Sequence, residues 1–204
     1  DGKGGSVNAN NSFVVDAVND APVQLSTPAV LAKGQEDTSY IIHTTDLLQG
    51  FSDVDGDTLS ISNLQATNGS LIDNQNGTYS FNPSSNFNGT VNLTYQVIDG
   101  KGGSVNANNS FVLDAVNDAP VALVPLNDQL VNEGQTFNYQ LPQDAFIDVE
   151  TKNLSLSASL DNGSPLPTWL SFDATTQTFS GTPSFNDSDT LNIKVTASDG
   201  QLSV

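Results

Sequence analysis

Residues 99–121 repeat residues 1–23 with one change, Leu113 in place of Val15. The shared text, DGKGGSVNANNSFV, then Val15 or Leu113, then DAVNDAPV, spans the end of one unit and the entry to the next. Its return after 98 residues (position 99 against position 1) is too long a period for a solenoid. It suits a tandem array of β-sandwiches of about one hundred residues each. On this reading, residues 1–20 are the terminal strand of a preceding repeat and its linker. Residues 21–118 are one whole sandwich, and residues 119–204 are a diverged second sandwich whose last strand is incomplete. Near-identity of the two copies points to recent duplication, and the chain reads as a piece of a longer array.

Strand patterning supports the same architecture. Val91, Leu93, Tyr95 and Val97 alternate with Asn92, Thr94 and Gln96, the period of a half-buried strand. Thr58–Ser62 and Thr78–Phe81 alternate likewise, and Asn68-Gly69, Asn76-Gly77 and Asn88-Gly89 provide turns, because Asn and Gly tolerate positive φ. In the second half, Leu191, Ile193, Val195 and Ala197 alternate with Asn192, Lys194 and Thr196. Pro167–Phe172 and Phe179–Pro183 add further strands and turns, with Trp169 expected in the core. No stretch carries helical periodicity. The expected class is all-β: two tandem Greek-key β-sandwiches arranged end to end.

With 5 basic residues against 23 acidic ones, the net charge of −18 disfavours nucleic acid and anionic lipid as partners. Cysteine is absent, so no disulfide holds the fold. No apolar run approaches the ~20 residues of a membrane-spanning helix, so no membrane insertion is expected, and the chain opens on no signal-peptide pattern.

The acidic residues are not spread evenly. Each half is entered by a linker, Asp16-Ala-Val-Asn19-Asp20 or Asp114-Ala-Val-Asn117-Asp118. Each then shows a glutamate (Glu36 or Glu133), a paired motif (Asp53-Val-Asp55 or Asp148-Val-Glu150) and an Asp-Gly after the long strand (Asp99 or Asp199). Oxygen ligands without sulfur or imidazole suit a hard cation, and Ca2+ above all, since it accepts six to eight oxygens in loose geometry. Asp53-Val-Asp-Gly-Asp57 begins like an EF-hand loop, but its twelfth position is Leu64, so that reading fails. Asp99-Gly-Lys-Gly-Gly103 lacks the periodic aspartates of a calcium β-roll.

In Phe51–Leu59, Tyr79-Ser-Phe-Asn-Pro83, Asn86-Phe-Asn-Gly89 and Val97-Ile-Asp-Gly100, the chain resembles the tandem cadherin-like repeats of large bacterial (RTX-type) surface adhesins. Leu170-Ser-Phe-Asp173 and Ser180-Gly-Thr-Pro183 resemble the dystroglycan-type cadherin-like subfamily. The resemblance implies calcium between successive domains. The linker would supply the carboxylates of Asp114 and Asp118 and the carbonyl of Asn117. Glu36 would reach from the upstream domain, and Asp148, Glu150 and Asp199 from the downstream one. The linker has one residue more than the usual cadherin linker, and Asn86 and Asn88 stand where cadherins place an acidic loop. About one to three ions per junction are therefore implied.

Three functions follow from these features. One is a non-catalytic extender, located outside the cell on a bacterial surface, in which calcium stiffens neighbouring repeats and projects ligand-binding domains for adhesion and biofilm formation. Another is a glycan- or peptide-binding module using Trp169, Tyr40, Tyr79 or residues 119–204. The third is an enzyme, which the sequence disfavours: the carboxylates read as metal ligands, and His43 stands alone on an expected strand. A further expectation is head-to-tail self-association. The N-terminal segment, with apolar Val7, Phe13 and Val15, would complete the second domain of another molecule by strand addition.

Overall fold

Alternation of apolar and polar residues shapes the chain mainly into strands, with one helical turn among the described residues. The computed structural model describes residues 2–4, 6, 8–187 and 189–204, which fall into two units, Asp1–Ala115 and Val116–Val204. The first unit contains β1 (Val23–Gln24), β2 (Gly34–Gln35), β3 (Tyr40–His43), the single turn α1 (Thr44–Leu47) and β4 (Phe51–Ser52). It continues through β5 (Ser60–Ala66), β6 (Gly69–Asp73), β7 (Thr78–Pro83), β8 (Gly89–Ile98) and β9 (Ser104–Asp114).

β8 and β9 form its backbone, paired antiparallel from Gly89↔Leu113 to Ile98↔Ser104. β2 adds in parallel at one edge and β5 antiparallel at the other, giving the order β2-β9-β8-β5. A second sheet, β3-β7-β6, lies across the core. The alternation in β8 behaves as patterned: Val91, Leu93, Tyr95 and Val97 are buried, whereas Asn92 and Thr94 are exposed. They meet Phe111 and Leu113 of β9, Ile42 of β3, Phe81 of β7 and Leu47 of α1 in one cluster. Phe81 lies edge-on to Phe111 at 5.4 Å, and Tyr40 stacks on Phe111 at 4.2 Å. Burial of each such side chain stabilises by about 1.5–3 kcal/mol. The buried Tyr95 hydroxyl donates to the Leu47 carbonyl at 2.9 Å, so the core contains no unsatisfied phenol. Asn68, with φ 60°, turns the chain from β5 into β6, and Gly69 must follow because a Cβ there would strike the Phe81 ring.

The second unit comprises β10 (Val121–Ala122), β11 (Phe137–Gln140), β12 (Phe146–Ile147), β13 (Ser155–Leu160), β14 (Leu170–Asp173), β15 (Thr178–Gly181) and β16 (Ile193–Ser198). Its sheets are β11-β15-β14 and β13-β16, with a short β10-β12 pair. Leu141, Leu170 and Phe179 centre the core, with Tyr139, Leu156, Trp169 and Val195 packed against them. Trp169 is therefore a core side chain. Both units are all-β sandwiches.

Some boundaries differ from the sequence reading. β5 begins at Ser60, two residues after Thr58, because the Asp57 amide is tied back to Asp53 Oδ1 at 3.4 Å and prolongs the acidic loop. His43 is exposed at the end of β3. Residues 8–20 are exposed and form no strand within the chain, with Phe13 and Val15 more than four-fifths accessible; Val7 lies outside the described residues.

Candidate metal centre

Three segments of the first unit converge at one end: residues 19–20 before β1, the loop 53–57 between β4 and β5, and the loop 99–103 between β8 and β9. Asp53 Oδ1 accepts the amides of Asp55 (2.9 Å) and Asp57 (3.4 Å), a local turn that aspartate favours. The other oxygen, Oδ2, is buried and has no hydrogen-bond partner, and the same is true of Asp57 Oδ2. Carboxylate oxygens of Asp53, Asp55 and Asp57 lie within 4.8 Å of one another. Like charges at this range repel unless a cation joins them.

Asp99, only 5% exposed, anchors the linker to this end. Its Oδ2 accepts the Asn19 side-chain amide at 2.8 Å, and its Oδ1 accepts the backbone amides of Lys101 (2.7 Å) and Gly103 (3.0 Å). The Asn19 bond, followed by those backbone donors, holds the Asp99 carboxyl below the usual range. Gly103 is required here: a Cβ would strike Asp99 Oδ2 and come within 2.8 Å of Ala21 Cα. The Asp20 amide donates to Asp55 Oδ2 at 2.8 Å. One cation is already present, the Lys101 ammonium, 2.5 Å from Asp57 Oδ1.

The second unit repeats the arrangement. Asp148 Oδ1 accepts the amides of Glu150 (3.0 Å) and Thr151 (2.6 Å), and its Oδ2 is buried without a partner. Asp199 Oδ1 accepts the amides of Gln201 (2.6 Å) and Leu202 (2.7 Å), while Oδ2 accepts the Asn117 amide at 2.8 Å. The Leu202 amide, then Asn117, lowers the Asp199 pKa. The Asp118 amide donates to Glu150 Oε2 at 3.2 Å.

Glu36 lies elsewhere in the first unit and is 1% exposed. The Asn88 side-chain amide donates to its Oε2 at 3.3 Å, and its own amide donates to the Asp114 carbonyl at 3.1 Å. Neighbouring Asp37 accepts the Asn86 amide at 2.9 Å. Asn86 and Asn88 thus serve as donors to the acidic pair Glu36-Asp37. The Asp114 carboxylate pairs with Lys33 at 2.8 Å. Asp16 and Glu133 are exposed and take no part in the two clusters described.

Asp57 and Lys101 were missed as site residues by sequence reasoning. Carboxylates at positions 53, 55 and 57 were the available signal for the first, set aside when the EF-hand pattern failed at Leu64.

The donor set fits a hard cation: only oxygens, several of them charged, with buried oxygens that no protein donor reaches. The second unit also has a cleft of about 890 Å³, but Tyr139, Leu141, Trp169, Leu170 and Phe179 line it. Those are its core residues, so the cleft is an open flank of the core rather than a built ligand site.

The fold and these sites define a tandem of β-sandwich modules with acidic loops at one end of each. Residues 18–114 match the family model of the cadherin-like domain, and residues 119–203 match that of the putative Ig domain. The chain therefore carries a cadherin-like and an Ig-like domain in tandem, classes that are typically non-catalytic and usually extracellular. Among the described residues, no helix is long and apolar enough to cross a membrane.

Among solved structures, it is similar to the endo-fucoidan hydrolase MfFcnA4 of glycoside hydrolase family 107, at 26% identity and TM-score 0.39, over 94% of this chain and 28% of that one. It is similar to the protocadherin GammaB4 extracellular domain at 18% identity and TM-score 0.45, over 90% of this chain and 33% of that one. The Bacteroides ovatus mixed-linkage glucan utilization locus protein SGBP-B, in complex with a heptasaccharide, follows at 16% identity and TM-score 0.33, over 90% and 45%. The chain thus spans less than half the length of each. No curated protein matches it.

Proposed function

We propose that this chain is a calcium-rigidified, non-catalytic extender segment of a bacterial cell-surface adhesin, of the RTX type exported by type I secretion. The observation that carries the reading is the same device built twice. In each unit, a loop carboxylate (Asp53 or Asp148) keeps one buried oxygen without a protein donor. Beside it, an Asn-Asp linker is hydrogen-bonded onto the neighbouring carboxylates.

Calcium supplies the positive charge these carboxylates lack and tolerates their irregular spacing. Asp53, Asp55 and Asp57 would hold it in the first unit, with Asp99 and Asp20 alongside. Asp148, Glu150, Asp118 and Asp199 would do so in the second. Asn19 and Asn117 orient Asp99 and Asp199, as outer-shell donors orient metal ligands. The cadherin resemblance would add Glu36, Asp114 and the Asn117 carbonyl to the calcium ligands. Bare interdomain contacts leave neighbouring domains mobile; a linker gripped through shared ions loses that freedom. Projection of adhesive domains, and the role in biofilm formation, follow from that stiffness. The dystroglycan-type reading of the second unit rests on its Leu170–Asp173 and Ser180–Pro183 motifs.

Thermal unfolding tests the metal. At a calcium concentration one hundred times Kd, mass action adds about 2.7 kcal/mol of stability, so millimolar calcium should raise Tm by several degrees and EGTA should reverse the gain. A melting curve unmoved by either reagent would rule the reading out.

A further inference from the structure

In sequence, the acidic loops of each unit carry one lysine, at different positions. Asp53-Val-Asp-Gly-Asp57 aligns with Asp148-Val-Glu-Thr-Lys152, and Asp99-Gly-Lys101 aligns with Asp199-Gly-Gln201. The first unit therefore faces a lysine with an aspartate, whereas the second has a lysine and a glutamine at those two positions. Lys101 Nζ lies 2.5 Å from Asp57 Oδ1, and the Asp57 side chain is only 11% exposed. The Lys101 side chain is 61% exposed, so its ammonium reaches a sheltered carboxylate from a solvated stem and can leave without disturbing the core. It satisfies one oxygen of the cluster, while Asp57 Oδ2 and Asp53 Oδ2 stay without donors.

From this pairing we propose that Lys101 is a built-in, displaceable counter-ion of the first acidic site. Its ammonium occupies Asp57 while the metal is absent and swings into solvent when calcium enters. The inference rests on the calcium reading above. A single ammonium neutralises one charge and makes hydrogen bonds to few oxygens, while a divalent ion engages several carboxylates at once. Lys101 therefore has two opposed effects. It supports the metal-free fold by relieving repulsion among Asp53, Asp55 and Asp57, and it weakens calcium binding because the metal must displace it. The second site lacks this device in the Asp-Gly loop, so the two sites fill at different calcium concentrations, and the first is restrained.

The test uses the whole chain and its K101Q and K101R variants, with calcium chloride as the probe. Calorimetry should show one class of sites tightened roughly threefold or more in K101Q, the scale of one lost exposed ion pair, while K101R keeps the wild-type affinity or weakens it. Melting should give the opposite order by condition: K101Q below wild type in EGTA, and level with or above it in saturating calcium. If wild type binds calcium but K101Q binds it no more tightly, the counter-ion role is wrong and the calcium reading stands. If neither protein binds calcium, both are wrong. A K101Q variant that melts lower by the same amount with and without calcium likewise overturns the proposal, since a merely structural ion pair behaves that way.

Discussion

Asn117 donates its side-chain amide to Asp199 Oδ2 at 2.8 Å, across 82 residues of sequence. Asn19 and Asp99 make the same bond at the same length across 80 residues. The linker asparagine is therefore part of the sandwich that follows it. A connecting segment that would otherwise be loose is fixed to the carboxylate that begins the loop after the long strand. Removing the amide leaves a sheltered aspartate short of a donor. Asn117→Ala should raise the Asp199 pKa towards its ordinary value, read by carbon-13 NMR titration, and weaken calcium binding about tenfold, as loss of an outer-shell donor does. An unchanged titration would separate Asn117 from the site.

The pH dependence follows from the same bonds. Asp99 and Asp199 have folded-state pKa values below the ordinary 3.8. The stability they contribute is fully present above the unfolded-state pKa and is lost as pH falls through the lowered folded values. In EGTA, urea midpoints should hold steady from neutral pH down to about 5 and decline below about 4. Lys101 has a raised pKa, so its share persists below the ordinary 10.5 and disappears only as pH rises beyond it. K101Q should therefore flatten the alkaline limb; an alkaline limb left unchanged in K101Q would contradict the assignment.

Much of this was legible in the sequence, for definite reasons. Alternation at Val91–Val97 located β8 because only a half-buried strand uses that period, and the repeated AVND text located both linkers. The turn α1 was not legible: four residues, Thr44–Leu47, show no period. Glu36 and Glu133 read alike, yet one is buried and the other exposed. Glu36 is seated by the parallel pairing of β2 with β9 and by Asn88; residues 131–134 form no strand to seat Glu133. Lys101 could not be read as a partner of Asp57, because 44 residues separate them and only the antiparallel pairing of β5 with β8, Ser60 opposite Ile98, brings the two loops together.

The two cores are separate clusters, with Phe81 central to the first. Phe81→Ala should cost the first unit about 3–5 kcal/mol through the cavity it leaves. Differential scanning calorimetry should then show one transition lowered and the other kept. A uniform shift of both would mean that the units unfold as one.

Head-to-tail association is also open to measurement. In the described residues, β16 pairs along its length with β13, its other edge is met only at Ala197 and Ser198 by Val204 and Ser203, and Phe13, Val14 and Val15 are exposed on a segment whose near-copy forms β9. Residues 8–15 of one molecule adding to the β16 edge of another would produce concentration-dependent oligomers in sedimentation velocity. Deleting residues 1–15 should abolish them while circular dichroism stays unchanged; oligomers that survive the deletion would exclude this segment as the added strand.

Small-angle scattering of the whole chain, with calcium and with EGTA, tests the extender role most directly. The account predicts a longer and better-defined maximum dimension in calcium than in EGTA. It also predicts that Asp118→Ala in calcium resembles the chelated wild type while both sandwiches stay folded. Scattering profiles that superimpose with and without calcium, or an Asp118→Ala protein as extended and rigid as wild type, would contradict it.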